Sequence, residues 1–342
     1  MSTTLQKDVD RRAMAVLSAG HLFTDLNQGA VAALLPFLVS ERGLTLAAAG
    51  ALVLAATVSS SVVQPLFGIF SDQRPLPVLM PLGVLLAGMG MALVGVAPSY
   101  PLIFLCVVLS GIGVAAFHPE AARFANYVSG SRRARGMSFF SVGGNAGVAL
   151  GPVLATPLVL LLGLPGALLL ALPAAIMAAV LFYEIPRMLG FKPASVEKEE
   201  GEPVEAPEHW GPFTRMIGVV VVRSLVYFGL VAFVASYYER ELEVSPALGN
   251  AALAVMLFSG AAGTLIMGPL ADRFGRRTIV GASMLLLPPL IFCFTLSGPS
   301  LGMVLLALVG AATVGTFGVT VVMGQEYLPA RIGLAAGITM GL

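Results

Sequence analysis

The sequence predicts an all-α, multi-pass membrane protein, and three observations predict it. The 342 residues are 57% hydrophobic and only 11% charged, with a mean hydropathy of +0.92, whereas soluble domains carry about 25% charged residues. Asp, Glu, Lys and Arg are absent from residues 43–71, 75–119, 136–183, 244–271 and 278–325. A helix crosses the ~30 Å hydrocarbon core with roughly 20 apolar residues, so the longer runs each hold two spans. Strand-like alternation of polar and apolar residues is missing, which removes a β-barrel.

The spans follow in order. The first, residues 13–40, comes after a polar dozen and is too long for the apolar core of a cleaved signal peptide. Residues 44–71, 77–97, 101–121, 136–162 and 164–184 supply the next five. The breaks fall at turn-forming sequence, Ala97-Pro98-Ser99-Tyr100-Pro101 and Gly163-Leu164-Pro165-Gly166. Residues 213–238, 246–271, 278–297 and 300–325 supply four more, the last two divided by Ser297-Gly298-Pro299-Ser300. An eleventh begins at Ile332 and stops at Leu342, too short to cross. A half-inserted helix leaves backbone groups in hydrocarbon. The chain is therefore read as lacking the rest of that span and one more.

Charge sets the orientation and excludes other classes. Of the nineteen Lys and Arg residues, all but Arg42, Arg240 and Arg223 fall on the side that holds the N-terminus, which the positive-inside rule makes the cytoplasm. A net charge of +1 offers no basic face for nucleic acid. Cys106 and Cys293 lie within apolar spans as small core residues, without a disulfide framework.

Residues 187–212 break the apolar pattern with Glu197, Glu199, Glu200, Glu202, Glu205 and Glu208 among four prolines. They read as a solvated cytoplasmic linker between an N-terminal six-helix bundle, residues 1–186, and an incomplete C-terminal bundle, residues 213–342. The halves repeat one plan: Gly68-Ile69-Phe70-Ser71-Asp72 after the second span returns as Gly268-Pro269-Leu270-Ala271-Asp272 after the eighth. A parallel duplication places a substrate site near the midplane, between the halves.

The second copy reads in full Gly268-Pro269-Leu270-Ala271-Asp272-Arg273-Phe274-Gly275-Arg276-Arg277; the first keeps Gly68, Asp72 and Arg74. This G-x-L-x-D-R-x-G-R-R loop resembles the signature of the major facilitator superfamily, which implies that fold and a solute-transport function. Independently of the family, Gly68 and Gly268 permit close helix approach, and each Asp at a helix end can pair with basic residues or cap a facing helix. Such a cluster can latch a cytoplasmic gate. An ordinary charged turn is the competing reading.

In span five, Gly143, Gly147, Gly151 and Pro152 resemble the G-x-x-x-G-P antiporter motif of exporters, although Ala155-Thr156 stands where that pattern continues with glycine. Plain helix packing gives the same spacing. More narrowly, His21-Leu22-Phe23-Thr24-Asp25, Phe117-His118-Pro119-Glu120 and Gly136-Met137-Ser138-Phe139-Phe140 resemble the fosmidomycin resistance proteins. That resemblance implies a bacterial inner-membrane, proton-driven exporter of toxic compounds or antibiotics, anionic phosphonates among them. It works as a monomer without a cofactor, its partners being a small-molecule substrate, protons and the bilayer.

Three charged or titratable groups stand out from the apolar spans. Asp25 lies about 12 residues, hence roughly 18 Å, into span one. A carboxylate at that depth is a functional candidate by default, here for proton coupling. His21, one turn earlier on the same face, titrates in the useful range. A purely structural polar pair is the alternative. Arg223, about ten residues into span seven, is expected at similar depth, either clamping an anionic substrate or pairing with Asp25 or another acid. Tyr227 shares its face and Asn27 lies near Asp25, both as substrate contacts. His118 and Glu120 are expected to end span four and line the inner vestibule, or to act simply as helix-end residues.

A membrane metalloenzyme would draw its ligands from His21, Asp25, His118 and Glu120, but the chain has only three His and no H-E-x-x-H spacing, so neither a metal nor an enzymatic activity is expected. A membrane sensor of this fold and a proton-coupled uptake symporter are the other readings.

Overall fold

A computed structural model describes residues 8–191 and 207–342 of the chain. Most of the acidic stretch, Glu197 to Glu205, lies outside the described residues, as do Lys7, Lys192 and Lys198. The N-terminal half contains α1 (Arg11–Arg42), α2 (Leu46–Ser61), α3 (Gln64–Gln73), α4 (Leu79–Val94), α5 (Tyr100–Val128) and α6 (Arg133–Leu162). A 3-10 helix (Leu164–Leu170) then leads into α7 (Ala171–Met188). The C-terminal half contains α8 (Trp210–Arg240), α9 (Pro246–Phe274), α10 (Arg276–Thr295), α11 (Pro299–Gly315), α12 (Phe317–Tyr327) and α13 (Ile332–Gly341).

Among the described residues, nine helical segments are long and apolar enough to cross a bilayer, counting α2–α3, α11–α12 and the 3-10–α7 segment as one each. The third span is shorter than its expected bounds: α4 has 16 residues, about 24 Å at 1.5 Å per residue.

Local sequence explains the ends and breaks. Asp10 caps α1 by accepting from the Ala13 N–H at 2.8 Å, and Gly43 closes the same helix with φ 64°, a left-handed position that suits glycine. The second span breaks between α2 and α3 where three serines meet a proline. Ser59 and Ser60 bond back to the carbonyls of Ala55 and Thr57 at 2.7 and 3.1 Å, and Pro65 has no N–H to continue the ladder.

One boundary departs from the sequence reading. Span four does not stop near residue 121, because α5 continues to Val128. Its charged residues look like a span end, yet Glu120 and Arg123 are buried and partnered, so the helix runs on through them.

The core of the N-terminal half gathers Leu17, Phe117, Phe124, Phe140 and Leu181 from α1, α5, α6 and α7. Leu161, Tyr183, Phe258 and Leu285 sit about four-fifths exposed on the outside, as side chains that face lipid do. Ion pairs tie the basic residues of one end together: Arg187 to Asp10 at 2.9 Å, Arg276 to Glu326 at 3.0 Å and Arg331 to Glu208 at 2.9 Å. Arg12 pairs with Glu184 at the same end.

Candidate functional site

Close packing of α1 on α6 builds the site. A Cβ at Gly143 would strike the Ser18 backbone, one at Gly147 the Leu22 backbone, and one at Gly151 would come within 2.6 Å of Ala30 N. Gly29 makes the reciprocal approach to Val148. The glycines of the span-five pattern therefore let the two backbones touch, while Pro152 is exposed on the far side. Gly144 leaves room for the site itself, since a Cβ there would collide with His21 and lie 2.7 Å from Asp25 Oδ2.

In that space three side chains converge. His21 Nε2 lies 3.2 Å from Asp25 Oδ2, and His118 Nε2 lies 3.2 Å from Asp25 Oδ1, the latter without hydrogen-bond alignment at the oxygen. The two Nε2 atoms are 3.0 Å apart. All three residues are buried, none more than 8% exposed. His21 stacks on Phe140 with ring centroids 4.2 Å apart and meets His118 edge-on at 4.8 Å.

The ring protons are assigned from the partners of each Nδ1. His21 Nδ1 is 2.8 Å from the Phe140 carbonyl oxygen, and His118 Nδ1 is 2.8 Å from that of Val114. A carbonyl only accepts, so each Nδ1 carries a proton and each neutral ring turns the Nε2 lone pair inward. Two lone pairs and a carboxylate then face one another with no donor among them. A proton added at that junction would supply the missing donor.

His118 is thus not a vestibule residue at a helix end, because the extension of α5 puts it inside the bundle beside Asp25. Glu120 points elsewhere, accepting from Ser71 Oγ and, at 2.9 Å, from the Leu76 N–H. It orders the turn after α3, so of the four ligands conceivable for a metal enzyme Glu120 stands apart, while ligand atoms of His21, Asp25 and His118 all lie within 4.8 Å of one another. Asn27 donates to the carbonyls of Phe23 and Thr24 at 2.8 and 3.4 Å, leaving its Oδ1 buried without a hydrogen bond.

Arg223 also departs from one of its two readings. Among the described residues it forms no ion pair with Asp25 or any other acid. It donates to Thr320 Oγ1 at 3.2 Å and lies over the Phe317 ring at 5.6 Å. A buried guanidinium without a counter-charge is costly. Tyr227 is half-buried against Phe228, ring centroids 5.3 Å apart.

The repeated loops form two matching helix-end contacts. Asp72 accepts from the N–H groups of Gly333 and Leu334 at 2.7 and 2.8 Å, at the start of α13. Asp272 accepts from those of Ala134 and Arg135 at 3.2 and 2.9 Å, at the start of α6. Each carboxylate sits where the helix dipole is positive. Gly68 and Gly268 permit this approach: a Cβ would strike the Gly333 backbone in one case and approach Ala134 O to 2.7 Å in the other.

Charges surround the contacts unequally. Arg123 pairs with Asp72 at 3.2 Å, and Arg276 lies 3.4 Å from Asp272. Arg74 is exposed, Arg273 lies over Phe274 at 5.1 Å, and Arg277 donates to the Tyr327 hydroxyl at 2.9 Å. Gly275, with φ 90°, makes the turn from α9 into α10. Sequence reasoning missed Arg123 as the partner of Asp72, and it missed the amide contact of Asn126 with Gln325 at 2.6 Å that joins the halves. Single buried amides carry no spacing signal.

Comparison with known proteins adds four findings. A family model described as Major Facilitator Superfamily matches residues 17–342. The chain is 32% identical over 336 residues to the uncharacterized MFS-type transporter YfnC of Bacillus subtilis (strain 168), covering 96% of this chain and 82% of that one. It is 31% identical over 339 residues to the fosmidomycin resistance protein of Escherichia coli (strain K12), again 96% and 82%. Among solved structures, the E. coli fucose:proton symporter FucP shares the fold with a TM-score of 0.69 at 15% identity, over 97% of this chain and 88% of that one.

Proposed function

The chain belongs to the Major Facilitator Superfamily, a multi-pass membrane transporter rather than an enzyme, and from that premise we propose that it exports small toxic compounds in exchange for protons. The single observation that carries the coupling is the junction of His21, Asp25 and His118, where three acceptors meet within 3.2 Å. A proton entering there turns an Nε2 into a donor and draws α1 and α5 together. Its departure leaves facing lone pairs beside a carboxylate, which push them apart.

Helix α5 links that event to a gate. His118 at the junction, Arg123 on Asp72 and Asn126 on Gln325 lie along eight residues of one helix, about 12 Å. Displacing α5 at His118 strains both of the lower contacts. In this reading the Asp72 and Asp272 contacts hold the cytoplasmic side closed, with the N-terminus on that side of the bacterial inner membrane.

The direction and the cargo rest on two supports. One relative at 31% identity is named a fosmidomycin resistance protein, and the buried, unpaired Arg223 suits an anionic, phosphonate-like group. Asn27, with an open acceptor, and Tyr227 are further substrate contacts in this account.

Proteoliposomes loaded with a pH dye test it. An anionic phosphonate antibiotic added on one side should drive protons to that side, and an uncoupler should abolish concentrative transport. Co-movement of protons with the compound would assign uptake symport instead. Transport that persists unchanged without a proton gradient would remove the coupling.

A further inference from the structure

The face of α6 that the transport mechanism leaves unused carries a second binding feature. One side of this helix faces the C-terminal half through Ala134 and Ser138, which approach Gly268, and another faces α1 through Gly143 and Gly147. Arg135, Phe139, Val142 and Ala146 recur at i, i+4, i+7 and i+11, so they form a third stripe, turned to the surface. On α1 the residues Arg11, Ala15, Ser18 and Leu22 repeat that spacing. Together they line one open groove of about 640 Å³ between the helices.

The groove is apolar along its length and basic at one end. Small side chains, Ala15, Ala19 and Ala146, deepen it, and Phe139 forms a wall that is 42% exposed. Arg11 and Arg135 stand at the mouth; among the described residues neither guanidinium forms a close ion pair, and Arg135 lies over the Phe139 ring at 5.9 Å. Asp8 also lines the mouth, but it is 3.6 Å from Arg132 and accepts from the Val9 N–H at 2.9 Å. That N–H, together with the charges of Arg132, Arg135 and Arg11, holds its carboxyl below the usual carboxylate range, so one carboxylate is set against three arginines. The mouth keeps an excess of positive charge.

We infer that this groove binds an anionic phospholipid of the basic-side leaflet, its phosphate between Arg11 and Arg135 and an acyl chain laid between α1 and α6. Basic pockets between membrane helices on the cytoplasmic side recognise anionic headgroups, and an apolar channel below selects a lipid over a free anion. The lipid contacts Arg135, whose backbone N–H is held by Asp272 at 2.9 Å. Occupancy therefore braces the start of α6 at the point where the halves meet. This assignment is independent of the direction and cargo of transport.

Native mass spectrometry of the full-length protein in detergent tests it, with phosphatidylglycerol or phosphatidylethanolamine as the added lipid. Phosphatidylglycerol should be retained preferentially, and each of Arg11→Gln and Arg135→Gln should weaken it roughly fivefold. Ala146→Trp, which fills the groove and keeps both arginines, should weaken it as well. Inorganic phosphate in excess should not displace it. Equal retention of the two lipids, wild-type retention by Arg11→Gln/Arg135→Gln or by Ala146→Trp, or displacement by phosphate would each overturn the assignment. If the double arginine variant does not fold, the comparison of lipids on the wild-type protein and the Ala146→Trp variant decide it.

Discussion

The Nε2 atoms of His21 and His118 lie 3.0 Å apart, and each ring has already committed its Nδ1 proton to a backbone carbonyl. Neither ring can relieve the contact by changing tautomer without losing that hydrogen bond. Asp25 lies 3.2 Å from both rings, so in the proposed mechanism a proton shared by the pair would have its charge balanced there.

His118→Gln removes one of the facing lone pairs and supplies an amide that neither titrates nor stores a proton. Transport measured across pH should lose its proton-dependent limb while substrate binding by calorimetry persists. An unchanged pH profile would place His118 outside the coupling.

Arg223→Lys keeps the charge and gives up the planar fork. Loss of one charge-assisted hydrogen bond costs about 1.5–3 kcal/mol, so affinity for an anionic substrate should fall by roughly one to two powers of ten. A neutral substrate should be affected far less. Equal losses for both would mark Arg223 as structural.

Asp272→Asn preserves size and removes the charge that faces the start of α6. A carboxylate at a helix N-terminus contributes roughly 0.3–1 kcal/mol, up to ~2 when partly buried. The variant should open more readily on the basic side, which labelling of a cysteine introduced near Ser138 reports. Asp72→Asn should act in the same direction and additionally leaves Arg123 with the Ser71 carbonyl and Glu120, 3.5 Å away, as partners.

Gly147→Val drives a branched side chain into the Leu22 backbone. Overpacking of this kind costs about 1–3 kcal/mol, which thermal unfolding in detergent should register. Val153→Ala, at a position 61% exposed, should change stability by less than about 0.5 kcal/mol. Comparable effects from the two would mean that the glycine stripe does not set the α1–α6 approach.

Much of this arrangement is readable in the chain because charge is so scarce. Asp25, His21 and Arg223 stand out against apolar spans, and the repeated Gly-x-x-x-Asp loops announce two equivalent helix ends. Pairing in three dimensions was hidden. Glu120 and Arg123 resemble the polar edge of a span, and only their partners Ser71, Leu76 and Asp72 explain why α5 continues past them. That continuation is what brings His118 to Asp25, a contact between residues 93 positions apart that no local pattern encodes. Arg223 shows the opposite limit: matching depth in the two halves suggests a partner in Asp25, whereas the histidines occupy that carboxylate and Thr320 takes the guanidinium.

The most direct test of the coupling site is proton release on substrate binding, followed with a pH dye in weakly buffered detergent solution. The wild-type protein should release protons when an anionic substrate is added, and Asp25→Asn should bind the same substrate with no release. Wild-type proton release from Asp25→Asn would contradict the account.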